Sequence, residues 1–245
     1  VLAPSRGCEF AVTTDTVVEG VHFVGDEPPA QIAAKMLRVN LSDIAAMGAR
    51  AVAYTLNIAL RPDVDDDWLK GFCAGLRADQ EAYDVHLMGG DSVATHGPMV
   101  LTVTAFGEAP IGQALRRNGA TPGDLVFVSG TIGDAALGLR AVQGDLPGLD
   151  EGSASALASR YRLPEPRLAL GIELIGVASA AADVSDGLVA DLGHIADASG
   201  VGAVVHWDCV PMSTAARSAA VLVDDLPTAI LTGGDDYELV FTVPP

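Results

Sequence analysis

The apolar residues in the first fifty positions follow a helical period in one segment. The run Ala30–Met47 has no internal glycine or proline and is rich in alanine, leucine and methionine, which predicts a helix. At about 100° per residue, the polar side chains that share one face are Gln31, Lys35, Arg38 and Ser42. Asp43 falls instead among the apolar residues Ile32, Met36, Val39 and Met47. The pattern therefore places Asp43 on the side of the helix that is expected to be buried.

A buried Asp43 requires a partner, because carboxylates are rarely buried unless they are paired or bound to a metal. This helix alone leaves two explanations equally open. The carboxylate is either a structural group, bonded to local backbone or to an arginine elsewhere in the chain, or a metal ligand.

Extended segments surround this helix. Residue composition and partial alternation predict strands at Phe10–Thr14, Arg50–Leu60, Val85–Met88 (of the buried type) and Met99–Phe106. Thr16–Phe23 is expected to form a loop or a second short strand. The acidic run Asp63–Asp67 predicts the start of a helix that extends to about Tyr83, since first-turn carboxylates are favoured by the helix dipole.

The second half alternates strands and helices after a turn-rich segment, residues 116–124. The predicted elements are the strand Leu125–Ser129, a helix from Ala135, helices at 154–160 and 166–178, a strand that ends at Asp183, the helix Leu188–Ala198, and the strands Val201–Trp207 and Glu238–Val243. This pattern predicts an α/β fold in two domains, residues 1–112 and 113–245.

Composition narrows the class of protein. A chain of 245 residues with 49% hydrophobic residues and 27 glycines is typical of a globular α/β protein with ample core. The net charge of −18 argues against binding to nucleic acid or to anionic membranes. No apolar run approaches the roughly 20 residues of a membrane span, and Val1–Gly7 resembles neither a signal nor a transit peptide. Three scattered cysteines favour reduced thiols and a cytoplasmic location.

Several aspartates occupy positions that solubility alone would not require. Asp15, Asp91 and Asp183 each follow a predicted strand, and Asp186 comes at the start of the next helix. Oxygen ligands at such positions suit Mg²⁺ bound together with substrate phosphates. No spacing predicts zinc, an EF-hand, a phosphate-binding P-loop or a protein kinase. The residues alone therefore predict a magnesium–phosphate site and leave its reaction open.

Six motifs occur in a recognisable order along nearly the whole chain. They are Thr13-Thr14-Asp15-Thr16-Val17-Val18-Glu19-Gly20-Val21-His22-Phe23, Asn40-Leu41-Ser42-Asp43-Ile44-Ala45-Ala46-Met47-Gly48-Ala49, Gly89-Gly90-Asp91, Arg117-Asn118-Gly119-Ala120 with Pro122-Gly123-Asp124, Asp183-Val184-Ser185-Asp186-Gly187-Leu188, and Gly234-Asp235-Asp236-Tyr237-Glu238-Leu239. Together they resemble the thiamine-monophosphate kinase family, within the aminoimidazole-ribonucleotide-synthetase-like superfamily. The second motif and Val-Glu-Gly-Val-His-Phe favour this branch over the selenophosphate synthetases.

The resemblance implies a fold and an activity. It implies a two-domain aminoimidazole-ribonucleotide-synthetase-like fold with mixed sheets flanked by helices, in which residues 1–112 bind ATP and Mg²⁺ and form a homodimer. The implied reaction is direct in-line transfer of phosphate from ATP to thiamine monophosphate. The alternatives are a non-catalytic module that binds magnesium and nucleotide, and another ATP-dependent member of the superfamily, such as a selenophosphate synthetase-like protein.

The resemblance also implies roles for individual residues. The implied metal ligands are Thr13, Thr14, Asp15, Asp43, Asp91, Asp183 and Asp186. The implied nucleotide contacts are Gly90, Asp91, Arg117 and Ser185, and the implied catalytic residues are Asp43, Asp91 and Arg117. His22 and Asp235 are expected to contact the acceptor, although the family usually has glutamate at the position of Asp235. Without the resemblance, a half-buried strand histidine is the preferred explanation for His22. A turn before a strand explains Asp235 and Asp236 as well as a substrate contact does.

The resemblance carries an expectation about the ends as well. Family members have an acidic Gly-Asp-Asp-Ala-Ala segment before the region matched by Val1, and a substrate-stacking aromatic residue beyond the region matched by Pro245. We therefore expect the C-terminal domain to be truncated here, and these residues alone to bind nucleotide weakly and turn over thiamine monophosphate poorly.

Overall fold

The computed structural model describes all residues from 1 to 245 and contains two sheets. The first consists of β1 (Cys8–Val18), β2 (Arg50–Leu60), β3 (His86–Ala94) and β4 (Val100–Pro110), in the order β1-β4-β2-β3. β4 pairs antiparallel with both β1 and β2, and β3 pairs parallel with β2 at the edge. Helices α1 (Pro29–Ala46) and α2 (Asp66–Tyr83) cover one face of this sheet.

Alternation along the strands decides which face of the first sheet is buried. On β4, Leu101, Val103 and Ala105 face the helices and are buried, whereas Thr102 and Thr104 lie half-buried on the outer face. The predicted acidic start of α2 is confirmed: Asp65 is its N-cap and accepts a hydrogen bond from Trp68 N at 2.8 Å.

The second sheet consists of β5 (Leu125–Val128), β6 (Ala180–Asp183) and β7 (Leu239–Val243), with β7 antiparallel to both neighbours. Its helices are α3 (Asp134–Gln143), α4 (Glu151–Arg162), α5 (Leu168–Glu173), α6 (Leu188–Ser199), α7 (Thr214–Ala219) and α8 (Leu226–Thr232), with single 3₁₀ turns at Trp207–Cys209 and Ala220–Leu222. The domain boundary at residue 112 stays a prediction; it falls between the two sheets. No helix combines the length and apolar character that a membrane crossing requires.

Helix α1 lies between the two halves of the chain. Its C-terminal Ala45 and Ala46 belong to a small apolar cluster that includes Leu115 before β5, Ala181 on β6 and Leu239 on β7. The polar face predicted for α1 is consequently covered rather than solvated, and both Lys35 and Ser42 are buried. Asp43 is half-buried, less than the helical pattern alone predicted.

The structure corrects several predicted strands. Asp15 and Asp91 lie within β1 and β3 rather than at strand ends, because backbone pairing continues to Val18 and Ala94. β3 was predicted as a buried strand, but it is an exposed edge strand. The strand predicted at Val201–Trp207 is wrong: no strand pairs with this segment, so its extended propensity has no hydrogen-bonding partner.

The helix predicted at 166–178 is also wrong in length, since α5 covers only Leu168–Glu173. The other predicted helices are confirmed, with their ends shifted by a few residues. The strand Arg50–Leu60 is confirmed at both ends.

Candidate active site

Four carboxylates from three elements approach one another where α1 meets both sheets. This acidic group consists of Asp15 on β1, Asp43 on α1, Asp183 at the end of β6 and Asp186 in the following turn. Thr13 Oγ1 donates to Asp43 Oδ2 at 2.6 Å. The β1 strand is tied to α1 a second time by Asp15 N, which donates to the buried Asn40 Oδ1 at 3.0 Å. Two β1 positions on the α1 side of the sheet thus present oxygen atoms to Asp43.

The electrostatics of the acidic group are unfavourable when no cation is present. Burial, followed by the charge of Asp43, raises the pKa of Asp183 to about 8. Burial and the charge of Asp43 also raise the pKa of Asp15 to about 6, and Asp186 contributes to this shift. None of the four carboxylates forms a salt bridge with lysine, arginine or histidine. An oxygen-only, unpaired donor set of this kind fits a hard divalent cation such as Mg²⁺.

A second set of possible metal-binding side chains shares Asp186 with this group. One ligand atom from each of Asp186, Asp191 and His194 lies within 4.8 Å of the others. Asp191 is buried and accepts from Asp186 N at 3.0 Å, so it fixes the turn that carries Asp186. Sequence reasoning missed Asp191 and gave His194 no role, although their spacing of three on α6 places them on one helix face.

A cavity of about 470 Å³ opens beside the acidic group at the join between the halves. Apolar side chains such as Phe10, Met47 and Leu115 form one wall, and Asp43, Asp183 and Arg117 bring charge to it. Arg117 is exposed and has no salt-bridge partner. The cavity can therefore present an apolar surface to a flat ring and a free guanidinium to an anion.

Asp91 does not join the acidic group within one chain. The strand register aligns Asp91 with Asn57, Thr102 and Thr16, whereas Asp15 aligns with Val103 and Leu56. Because aligned residues share a face of the sheet, Asp91 lies on the outer face, opposite to Asp15. Asp91 is exposed there.

Thr14 and Gly90 lie within strands of the first sheet, and their contacts there are to neighbouring strands. The Thr14 hydroxyl is on the outer face, where it donates to Val103 O at 3.0 Å and accepts from Thr104 Oγ1 at 3.1 Å. Gly90 has φ +156°, and a Cβ added there would lie 1.7 Å from Leu56 O. Only glycine allows β3 to pair with β2 at this point.

The segment Glu19–Gly25, named here the His22 loop, is held in one conformation by several contacts. His22 Nδ1 accepts from Val18 N at 3.1 Å, which makes Nε2 the protonated, donating nitrogen of the neutral ring. Phe23 is buried in the first core, and Glu27 accepts from Val24 N and Gly25 N. An exposed His22 side chain on a fixed loop is a suitable donor to an anionic ligand.

Asp235 and Asp236 have different environments. Asp235 has φ +70°, its N donates to Ser185 O at 2.9 Å, and its carboxylate accepts from Lys35 Nζ at 2.9 Å. Asp236 is buried and accepts from Gly133 N and Ala135 N at the start of α3. Asp236 is therefore structural, whereas Asp235 faces the join near Ser185.

Lys35, like Tyr161, was missed as a site-forming residue because its partners are distant in sequence.

The chain is similar over its whole length to proteins of one family. Residues 1–109 match the family described as "AIR synthase related protein, N-terminal domain", and residues 121–245 match the corresponding C-terminal domain. Thiamine-monophosphate kinase of Salmonella typhimurium is 48% identical over 237 residues, which cover 96% of this chain and 71% of that protein. The Caulobacter vibrioides protein of the same name is 43% identical over 249 residues, which cover 99% of this chain and 69% of that protein.

Solved structures agree with these sequence matches. The crystal structure of thiamine-monophosphate kinase from Stenotrophomonas maltophilia K279a has a TM-score of 0.91 and 45% identity, and the match covers 100% of this chain and 77% of that one. A structure described as AaThiL complexed with AMPPCP and TMP has a TM-score of 0.91 and 30% identity. That match covers 99% of this chain and 77% of the other. The resemblance read from the six motifs and the fold class are confirmed.

Proposed function

The chain belongs to the thiamine-monophosphate kinase family, and from this premise we propose that it transfers phosphate from ATP to thiamine monophosphate in the cleft between its two halves. The observation that carries the proposal is the combination of an unpaired acidic group with an unpaired arginine, Arg117, at one cavity. A relative with 30% identity, AaThiL, was solved with AMPPCP and TMP bound, which supports ATP as the donor.

Charge repulsion is the main obstacle in this reaction, because donor and acceptor both carry phosphates. Magnesium, when bound, screens the phosphate oxygens and aligns the two groups. Asp15, Asp43, Asp183 and Asp186 would hold it, with Thr13 orienting the Asp43 carboxylate. Arg117 would pair with phosphate oxygens of ATP. Ser185 and Gly90 would also contact the nucleotide. We propose a direct in-line transfer, since an ionised acceptor phosphate needs no strong base.

His22 and Asp235 would contact the acceptor. Replacement of His22 by alanine is expected to raise the KM for thiamine monophosphate roughly tenfold, because a hydrogen bond from Nε2 to an ionised phosphate is lost. The KM for ATP should change little. Steady-state kinetics with each substrate varied in turn provide the measurement, and equal changes in both KM values would assign His22 a packing role instead.

We also propose that two copies of the chain associate through the outer face of the first sheet. The edge strand β3 exposes Leu87, Met88 and Val93, and Asp91 lies on the same strand. Association through this face would place Asp91 and Thr14 at the interface between the two copies. The family resemblance assigns both residues as metal ligands. Sedimentation velocity distinguishes a dimer from a monomer.

The three free cysteines support a cytoplasmic location.

The proposed function is tested by incubating the purified protein with ATP, Mg²⁺ and thiamine monophosphate. We expect thiamine diphosphate and ADP in equal amounts, and no product when the metal is chelated. Nucleotide binding measured by calorimetry without any product would indicate a non-catalytic module. ATP consumption that does not depend on thiamine monophosphate would indicate another ATP-dependent reaction of the superfamily.

A further inference from the structure

Lys35 is a buried lysine at the join between the halves, on the covered polar face of α1. Only 5% of its side chain is exposed. Its Nζ donates to the backbone oxygen of His22 at 2.9 Å and to Asp235 Oδ2 at 2.9 Å. The same Nζ lies 3.6 Å from the ring centroid of Tyr161 on α4. A single ammonium group therefore contacts the His22 loop, the Asp235 turn and the second half's helix α4.

These contacts occupy the ammonium group. An ammonium has three N–H donors and no acceptor; two of them are used in hydrogen bonds, and the aromatic face of Tyr161 covers the group. The His22 oxygen is held a second time by Tyr161, whose hydroxyl donates to it at 3.3 Å. Lys35 therefore has little capacity to bind a substrate phosphate directly, and its contacts act on other residues.

We propose that Lys35 is a positioning residue that fixes His22 relative to Asp235, and so shapes recognition of the phosphorylated acceptor. The proposal rests on the proposed function for its substrate, but its geometry stands on this chain alone. His22 comes from the first half and Asp235 from the second, 213 residues later in the sequence. Among the salt bridges, only Lys35–Asp235 joins the first half of the chain to the second, and the same ammonium group donates to the His22 oxygen.

The competing explanation is that Lys35 only stabilises the join. Replacement of a lysine with that role would lower Tm, because removing one partner of a buried ion pair leaves the other unpaired, but it would change the His22 loop and the two KM values little. Replacement of a positioning lysine would in addition release the His22 loop, since the His22 oxygen and the Asp235 carboxylate both lose a donor. The two explanations predict different behaviour for the local loop and for the two substrates.

The test compares Lys35→Met with Arg38→Met. Arg38 lies on the same helix, is half-buried, and pairs with the buried Asp79 through two hydrogen bonds at 2.8 Å, but it contacts neither the His22 loop nor Asp235. Hydrogen–deuterium exchange of residues 19–25 reports the loop directly, without substrate. KM values for thiamine monophosphate and ATP report its consequence.

For Lys35→Met we expect exchange in the His22 loop to accelerate at least about tenfold, and the KM for thiamine monophosphate to rise roughly ten- to hundredfold. The KM for ATP should stay within about twofold, and Arg38→Met should leave both the loop exchange and the two KM values unchanged. If Lys35→Met does not fold, Lys35→Gln serves as the second variant.

Three results would overturn the inference. They are unchanged loop exchange in Lys35→Met, equal increases in both KM values, and the same loop response in Arg38→Met. A wild-type protein with no activity on thiamine monophosphate would refute the proposed function instead, and loop exchange would still decide whether Lys35 positions His22.

Discussion

Replacement of Asp43 by asparagine is expected to reduce phosphate transfer by more than about a hundredfold while leaving the fold intact. Asp43 lies at the centre of the acidic group, because, after burial, its charge is the next cause of the raised pKa of both Asp15 and Asp183. Asparagine has nearly the same shape, and its oxygen can still accept from the Thr13 hydroxyl. The change removes one negative charge from a cation site and little else.

The stability of Asp43→Asn should distinguish this role from a structural one. Without metal, Asp43 repels two neighbouring carboxylates, so its neutralisation should leave Tm unchanged or raise it. A structural carboxylate would show the opposite result: a lower Tm, with near-normal activity in the folded fraction. Activity and Tm are therefore measured on the same preparation, with and without Mg²⁺.

Asp79→Asn is the matched control. Asp79 is 3% exposed and accepts two hydrogen bonds from Arg38. It has no hydrogen bond to any member of the acidic group. Its replacement should lower Tm while the folded enzyme stays active, because a buried ion pair loses half of its charge. If Asp43→Asn behaved like Asp79→Asn, the metal role of Asp43 would be rejected.

The largest expected effect on stability comes from Glu238, which is 1% exposed and directly precedes β7. Its carboxylate accepts from Arg160 Nη2 at 2.7 Å, from Arg167 Nε and Nη2 at 2.7 Å, and from Ser129 Oγ at 2.5 Å. Arg160 is on α4 and Arg167 directly precedes α5, so Glu238 joins three parts of the second half. Glu238→Gln should cost about 3 kcal/mol, because two arginines lose their shared counter-charge.

This loss should be visible as a fall in Tm of roughly 6–12 °C, since about 1 kcal/mol corresponds to 2–4 °C in a chain of this size. Asp67→Asn provides a control, because Asp67 forms a salt bridge with Lys70 in which both side chains are largely exposed. Its replacement should lower Tm far less than that of Glu238, because an exposed ion pair and a first-turn charge each contribute little. A Glu238→Gln protein as stable as the wild type would show that the two arginines find other partners.

The pH dependence of Glu238 has a defined sign. Burial alone would raise its pKa, but the hydrogen bonds from Arg167 and Ser129 and the charges of both arginines outweigh burial and hold the pKa below its ordinary value of 4.5. A lowered pKa in the folded state stabilises the protein above pH 4.5, and this stabilisation is lost as the pH falls below that value. Thermal unfolding between pH 3 and 6 should therefore show a smaller pH dependence for Glu238→Gln than for the wild type.

The sequence by itself determined the α/β class, the extent of α1, the strand β2 and the ordered motifs that identify the family. These features are local, or they depend on the order of short motifs, so one chain is enough to read them. Helical period and the absence of glycine and proline predicted α1. The same local signals could not distinguish a strand end from a polar stretch inside a strand, which is why Asp15 and Asp91 were misplaced.

The tertiary structure alone decided which of the candidate residues come together. The pairing register of the first sheet places Asp15 with Asp43 and turns Asp91 to the opposite face, and a shift of one residue would reverse this. Packing of the second half on α1 covers a face that the sequence describes only as polar, and gives Lys35 its partners in His22, Tyr161 and Asp235. Such contacts join residues up to 200 positions apart, and neither periodicity nor motif spacing carries information about separations of that size.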